Sequence, residues 1–121
     1  MNYYMRPYQA AVEAGVGSIM TSFNEFESIP ATGNTWLLND VLRNNGDLNG
    51  FVVSDFTAIA EMVNHGIGNS QEVGVKALKA GVDMDMIADC YHAVLKKSLE
   101  EGKITEAEID SACRRILISK Y

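Results

Sequence analysis

Asp55 stands at the end of a short apolar run, Gly50-Phe51-Val52-Val53-Ser54-Asp55-Phe56. Two further carboxylates, Asp83 and Asp85, sit in a similar run, Gly81-Val82-Asp83-Met84-Asp85-Met86. A third run, Gly17–Phe23, offers Met20, Phe23 and then Asn24. Short apolar runs rich in β-branched residues read as buried strands. Strands buried on both faces belong mostly to parallel sheets covered by helices, and such folds place their chemistry where the strands end. Carboxylates flanked by aromatic residues and Met suit a sugar site. Apolar faces pack on the C–H surfaces of the ring, while carboxylates bind hydroxyls or attack the anomeric carbon. Spacing alone fits a metal or phosphate site as well. Asp55 taken alone reads equally as the N-cap of the helix that follows it.

Other chemistries find less support. There is no Gly-rich phosphate loop of the GxGxxG or GxxxxGK[ST] kind. Neither Cys90 nor Cys113 lies in a CxxC pattern, which argues against a zinc or redox site. Both cysteines fall on predicted helices and read as small buried apolar residues. Met84 and Met86 read as packing. Asp89 and His92, three apart on a predicted helix, read as a surface pair. His65, in a loop beside Gly66, is the more interesting histidine. No strained nucleophile turn points to a Ser-His-Asp arrangement. No metal or cofactor is expected.

The 121 residues are 47% hydrophobic and 21% charged, a globular composition of one ordinary domain. The net charge of -6 argues against a duplex nucleic-acid binder. Lys96-Lys97 and Arg114-Arg115 are the only adjacent basic pairs and read as solvated helix faces. No apolar run approaches a membrane span. The N-terminal MNYYMRPYQAA lacks the basic and apolar regions of a secretory signal. The cytoplasm is a compatible compartment, but a chain that starts mid-protein would have lost any signal.

The elements that must position these residues follow in order. Met5–Ala14 reads as a helix with Tyr8, Ala11, Val12 and Gly15 on one face, Pro7 in its first turn and Gly15 as its stop. After the first strand, Asn24–Thr32 reads as a loop long enough to carry function. Asn34 or Thr35 caps a helix to about Arg43, and Asn44–Asp47 is a turn. Thr57–Val63 is a short helix. Ser70 is the expected N-cap of the next, which ends at Gly81. In the third strand, Val82, Met84 and Met86 alternate with Asp83 and Asp85. A helix over Asp89–Glu101 buries Tyr91, Val94, Leu95 and Leu99. A last helix opens on a capping box, Thr105-x-x-Glu108, and carries Ile109, Ala112, Cys113, Ile116 and Leu117 at helical spacing. Alternating strands and helices imply a parallel α/β sheet. Three strands alone leave two open edges, so the chain reads as a slice of a larger α/β protein.

The strings IMTSFN, IPATGN, WLLNDVLR, GFVVSDF and KALKAGVDMDM, in this order and spacing, closely resemble family 3 glycoside hydrolases of the β-glucosidase type. The resemblance extends through the closing helices. It implies that residues 1–121 are a fragment of the family's N-terminal catalytic domain. That fragment would be roughly the last three strands, with their helices, of a TIM-like (β/α)₈ barrel. Asp55 matches the nucleophile of the Ser-Asp-Trp motif, which forms a covalent glycosyl-enzyme that water releases with retention. Met20 and Phe23 match residues lining the glycone subsite, and Phe56 takes the position of a Trp near the sugar. Ser54, Asp83 and Asp85 are expected to support the site. Phe23 and Phe56 replace the usual Tyr and Trp, so neither carries a polar hydrogen-bond donor.

The resemblance also implies what is elsewhere: five earlier strands with the Lys-His and Arg residues that hold sugar hydroxyls, and a later domain with the acid/base Glu. The expected partners are therefore a carbohydrate and that remainder, with no nucleic acid and no membrane. The isolated fragment is expected to be inactive. The competing expectations are a truncated gene product or remnant without glycosidase activity, and a phosphoacceptor domain. The latter would want an acidic pair after the first strand, where Phe23-Asn24 stands instead.

Overall fold

A computed structural model describes residues 3–121. A parallel pair forms its centre: β1 (Ser18–Met20) runs beside β4 (Phe51–Val53), with Ile19 opposite Val52. Each strand starts beside a glycine, and the backbones meet there. A Cβ on Gly50 would lie 2.1 Å from the Gly17 carbonyl oxygen, so only glycine fits.

The expected third strand is reduced to one parallel bridge, Val53 to Met84. Side chains have taken over the ladder on both sides of that bridge. The Val52 N–H donates to Asp83 Oδ2 at 2.8 Å, and the Met86 N–H donates to Ser54 Oγ at 2.8 Å. Backbone bonds remain from Asp83 N–H to Val52 O (2.8 Å) and from Ser54 N–H to Met84 O (2.9 Å). Nor does the expected alternation sort the residues by face, because Val82 and Asp83 are both buried.

Between β1 and β4 the chain does more than loop. Glu25–Phe26 (β2) and Ile29–Pro30 (β3) form an antiparallel hairpin where a loop was expected. Its turn residues, Glu27 (φ 52) and Ser28 (φ 65), both lie in the left-handed region. The helix that follows, Trp36–Asn45, is wound as a π-helix. Asn34 Oδ1 accepts from the Leu37 N–H at 3.1 Å, so Asn34 supplies the side-chain cap. The Phe26 and Trp36 rings stack with centroids 5.7 Å apart.

The remaining helices are α1 (Met5–Glu13), α2 (Ala58–Glu61), α3 (Ser70–Ala80), α4 (Cys90–Glu100) and α5 (Glu106–Lys120). Asn69, rather than Ser70, caps α3: its side chain accepts from Gln71 and Glu72, and Glu72 returns a bond to the Asn69 N–H. Gly81 ends α3 at φ 108, as expected of a left-handed stop. Thr105 and Glu108 form the expected box at α5. The core gathers Ile19, Leu42, Val52, Ile59, Met62, Val73, Ala77 and Val82 between the strands and α3. Each of the larger of these side chains, Val, Ile, Leu or Met, contributes about 1.5–3 kcal/mol when fully enclosed. A smaller cluster, Leu78, Ile104 and Ala112, seats α4 and α5. By contrast, α1 buries no residue fully, and Tyr8 on its expected inner face is exposed. Cys90 is buried as expected, but Cys113 is exposed on the outer side of α5; both thiols are free. No helix among the described residues is long and apolar enough to cross a membrane.

Candidate functional site

Parallel pairing brings three chain ends to one edge. The Asp55 N–H donates to Thr21 O at 3.1 Å, just past β1, and the Thr57 N–H donates to Met86 O at 3.1 Å. Asp55 therefore lies between the end of β1 and the Met84–Met86 segment. Its side chain is half-buried. Oδ1 accepts from the Phe56 N–H at 2.7 Å, and among the described residues no side chain pairs with the other oxygen. Asp55 does not serve as the cap of α2, since Thr57 holds that position in a left-handed conformation with no side-chain bond.

The neighbouring apolar residues stay open. Met20 is 43% exposed, Phe23 45% and Phe56 60%. Large apolar side chains left in water beside a half-open carboxylate make a surface fit for an amphipathic ligand. Ser54 is fully buried and acts through its hydroxyl on the Met86 N–H.

Asp83 is not at the surface of this edge, and Asp85 is half-buried. The Asp83 side chain is completely enclosed. It accepts from Arg43 Nη2 at 2.6 Å, from Arg115 Nε at 2.8 Å and from the Val52 N–H. Arg43 also donates to Gly50 O (3.0 Å) and Gly81 O (3.1 Å), joining the beginnings of two strand segments. Burial pulls the Arg43 pKa down, and the Asp83 charge opposes that. Arg115 was expected on a solvated face. It turns inward because the enclosed Asp83 offers a second carboxylate oxygen.

Asp85 Oδ2 accepts from the Cys90 N–H (2.7 Å) and the Tyr91 N–H (3.1 Å), capping α4 from five residues upstream. Burial, and then the charges of Asp83 and Asp85, push the Tyr91 phenol well above its usual range. Its hydroxyl donates to Val82 O at 2.6 Å.

The two histidines lie apart from these groups. His65 Nδ1 meets Glu25 Oε1 at 2.6 Å and ties the hairpin to the loop before α3. His92 reaches Asp89 at 3.3 Å on the open surface. Among the described residues, no group of three or more His, Cys, Asp or Glu side chains could hold a metal ion. A shallow cavity of about 420 Å³ lies beside Asp85, Tyr91, His92 and Ile116, and Asp55 is not part of its wall.

Sequence reasoning missed four contributors. Thr21 and Thr32 share a buried bond of 2.8 Å beneath the end of β1, and Arg43 and Arg115 enclose Asp83. The Arg at the end of WLLNDVLR was the one available signal, a buried-face helix ending in a cation.

Residues 1–118 match the model of the glycosyl hydrolase family 3 N terminal domain. The chain belongs to glycosyl hydrolase family 3. It is 45% identical, over 99% of its length, to the periplasmic beta-glucosidase of Salmonella typhimurium, and covers 16% of that protein. It is 40% identical to a beta-xylosidase of Formosa agariphila, covering 98% of this chain and 18% of that one. Among solved structures, the beta-glucosidase from Listeria innocua in complex with glucose superposes with a TM-score of 0.91 at 44% identity. That match covers 93% of this chain and 16% of the other. The chain thus spans about a sixth of the length of these family 3 relatives. Family membership agrees with the resemblance carried by GFVVSDF and AGVDMDM.

Proposed function

We propose that this chain is the nucleophile-bearing segment of a retaining β-glycosidase acting on terminal β-linked sugars. Its parallel strands would form the last part of a (β/α) barrel in the N-terminal catalytic domain. One observation carries the reading: Asp55 ends the central strand with one oxygen fixed by the Phe56 N–H and the other uncommitted, beside exposed Met20, Phe23 and Phe56. A nucleophile needs this combination of a held orientation and a free lone pair.

In the reaction the uncommitted oxygen bonds to the anomeric carbon as the bond to the aglycone oxygen breaks. A carboxylic acid elsewhere in the enzyme protonates that leaving oxygen. Water, deprotonated by the same group, then displaces Asp55. Met20, Phe23 and Phe56 would pack against the sugar. Since neither Phe23 nor Phe56 carries a polar donor, orientation there comes from shape and stacking rather than hydrogen bonds.

Retaining hydrolysis needs two carboxyl groups about 5–5.5 Å apart, and Asp55 is the only one assigned here. The isolated 121 residues should therefore turn over no aryl β-glucoside. The test of the nucleophile replaces the matching segment of the Salmonella relative with these residues. The hybrid is then incubated with a 2-deoxy-2-fluoro-β-glucoside carrying a good leaving group. A glycosyl adduct on the Asp55 peptide is expected. An adduct on another carboxylate refutes the assignment, and a folded hybrid with neither adduct nor turnover favours a remnant without activity.

A further inference from the structure

Met86 is gripped from both sides of Asp55. Its N–H donates to the Ser54 hydroxyl at 2.8 Å, and its carbonyl accepts from the Thr57 N–H at 3.1 Å. The loop that presents Met86 is not one the backbone favours: Ile87 sits at φ 67 and Asp89 at φ 55. A β-branched residue in the left-handed region is strained, and such strain persists only where the surroundings impose it. Asp85 supplies the restraint. Its Oδ2 holds the Cys90 and Tyr91 N–H groups at 2.7 and 3.1 Å, which closes the loop against the start of α4.

We propose that Asp85 is a positioning residue for Asp55, acting through the Met86 main chain. By capping α4 it fixes the 86–89 loop, and the loop's hold on Ser54 and Thr57 fixes the turn that aims the Asp55 carboxylate. This rests on the reading of Asp55 as nucleophile. Asp85 itself has no free edge to offer a sugar: one oxygen caps the helix, and the other is buried without a partner among the described residues. That idle oxygen makes asparagine a near-isosteric replacement, since its amide oxygen can keep the cap.

Proton–nitrogen NMR of the 121-residue chain tests the idea. The Phe56 amide reports the Asp55 carboxylate directly, because it donates to Oδ1 at 2.7 Å. Asp85→Ala should move the Phe56 and Thr57 amide signals and speed hydrogen exchange at Thr57 at least tenfold. Asp85→Asn should restore both. Changes confined to residues 85–92 would mean that Asp85 only caps α4, and would overturn the proposal. If Asp85→Ala fails to fold, Ser54→Ala cuts the grip while sparing the cap. Phe56 and Thr57 should then move while the Cys90 and Tyr91 amides stay, and an unmoved Phe56 again overturns it. The labelling of Asp55 is a separate measurement: its failure alongside the expected amide shifts removes the nucleophile and leaves the positioning, and the converse removes the positioning alone.

Discussion

At the beginning of β4, the Asp83 carboxylate is completely enclosed and takes bonds from Arg43, Arg115 and the Val52 N–H. At the other end of the same strand, Asp55 is half-open, with a single bond from its own neighbour. Both are aspartates on strand-like segments of similar sequence, and neither residue type nor hydropathy separates them. Partner saturation does. A carboxylate whose lone pairs are filled by two guanidinium groups and an amide can hold elements together but cannot react. A carboxylate with one fixed and one free oxygen can. In parallel α/β folds, the beginnings of the strands serve stability and their ends serve chemistry; under the role proposed for Asp55, that contrast spans six residues here.

The largest effect that would sharpen this contrast is on turnover. In the hybrid glucosidase described above, Asp55→Ala should lower kcat by about a thousandfold or more. Its unfolding midpoint should stay near that of the parent hybrid, because among the described residues the Asp55 side chain bonds only to the Phe56 N–H. Steady-state kinetics and a urea titration decide it. A variant that unfolds as readily as it loses activity would erase the distinction between the two ends.

The converse applies to Asp83. Asp83→Ala strands two guanidinium groups and the Val52 N–H, one of those groups well buried. Removing one member of a buried ion pair is destabilising by about 3–5 kcal/mol. Urea unfolding of the chain should show a loss of that order, and a loss under about 1 kcal/mol would mean that the enclosure is not what holds α5 to the strands.

The sequence made some of these parts legible and hid others for physical reasons. Local signals carried through: the Thr105–Glu108 box, the left-handed stop at Gly81 and the apolar run Phe51–Val53 each depend on neighbours in the chain. The parallel α/β order was readable from the alternation of strands and helices, and the family from motif strings. What failed depended on distant partners. Arg115 looks like a solvated lysine-type charge until Asp83, 32 residues earlier, is placed beneath it. The third strand looks regular until the Asp83 and Ser54 side chains occupy the backbone donors that a ladder would use. The arrangement around Asp55 was legible only as a candidate, since its free oxygen is a property of what does not reach it.

A pH series probes the enclosed side of the comparison. The folded Tyr91 phenol is held neutral by burial and by the nearby carboxylates, so its pKa is raised above the unfolded value near 10. Such a group's contribution is fully present below about pH 10 and is lost as pH climbs toward the folded value. The slope is at most about 1.4 kcal/mol per pH unit. Cys90, raised by burial, adds to the same trend from its lower unfolded value. Urea midpoints measured from pH 8 upward should fall more steeply for the parent than for Tyr91→Phe above pH 10. Equal slopes would show that the Val82 carbonyl does not hold the phenol inside.

The smallest expected effect lies at the open end, in the hairpin that follows β1. Two-residue hairpin turns with both residues at positive φ favour Asn-Gly, because left-handed backbone is unfavourable for residues with a larger side chain. Glu27 and Ser28 occupy those positions instead, which is also why no hairpin signal is legible there. Replacing them together, Glu27→Asn with Ser28→Gly, relieves two strained residues while leaving the Glu25–Pro30 register and the Glu25–His65 bond untouched. The added entropy of glycine in the unfolded chain offsets part of the gain. A net stabilisation of about 1 kcal/mol, or about 4 °C in Tm, is expected. If Tm instead stays level, the turn strain is already absorbed by tertiary contacts, chiefly the Phe26–Trp36 stack and the Glu25–His65 bond. The open end of the molecule would then be as firmly over-determined as the enclosed one.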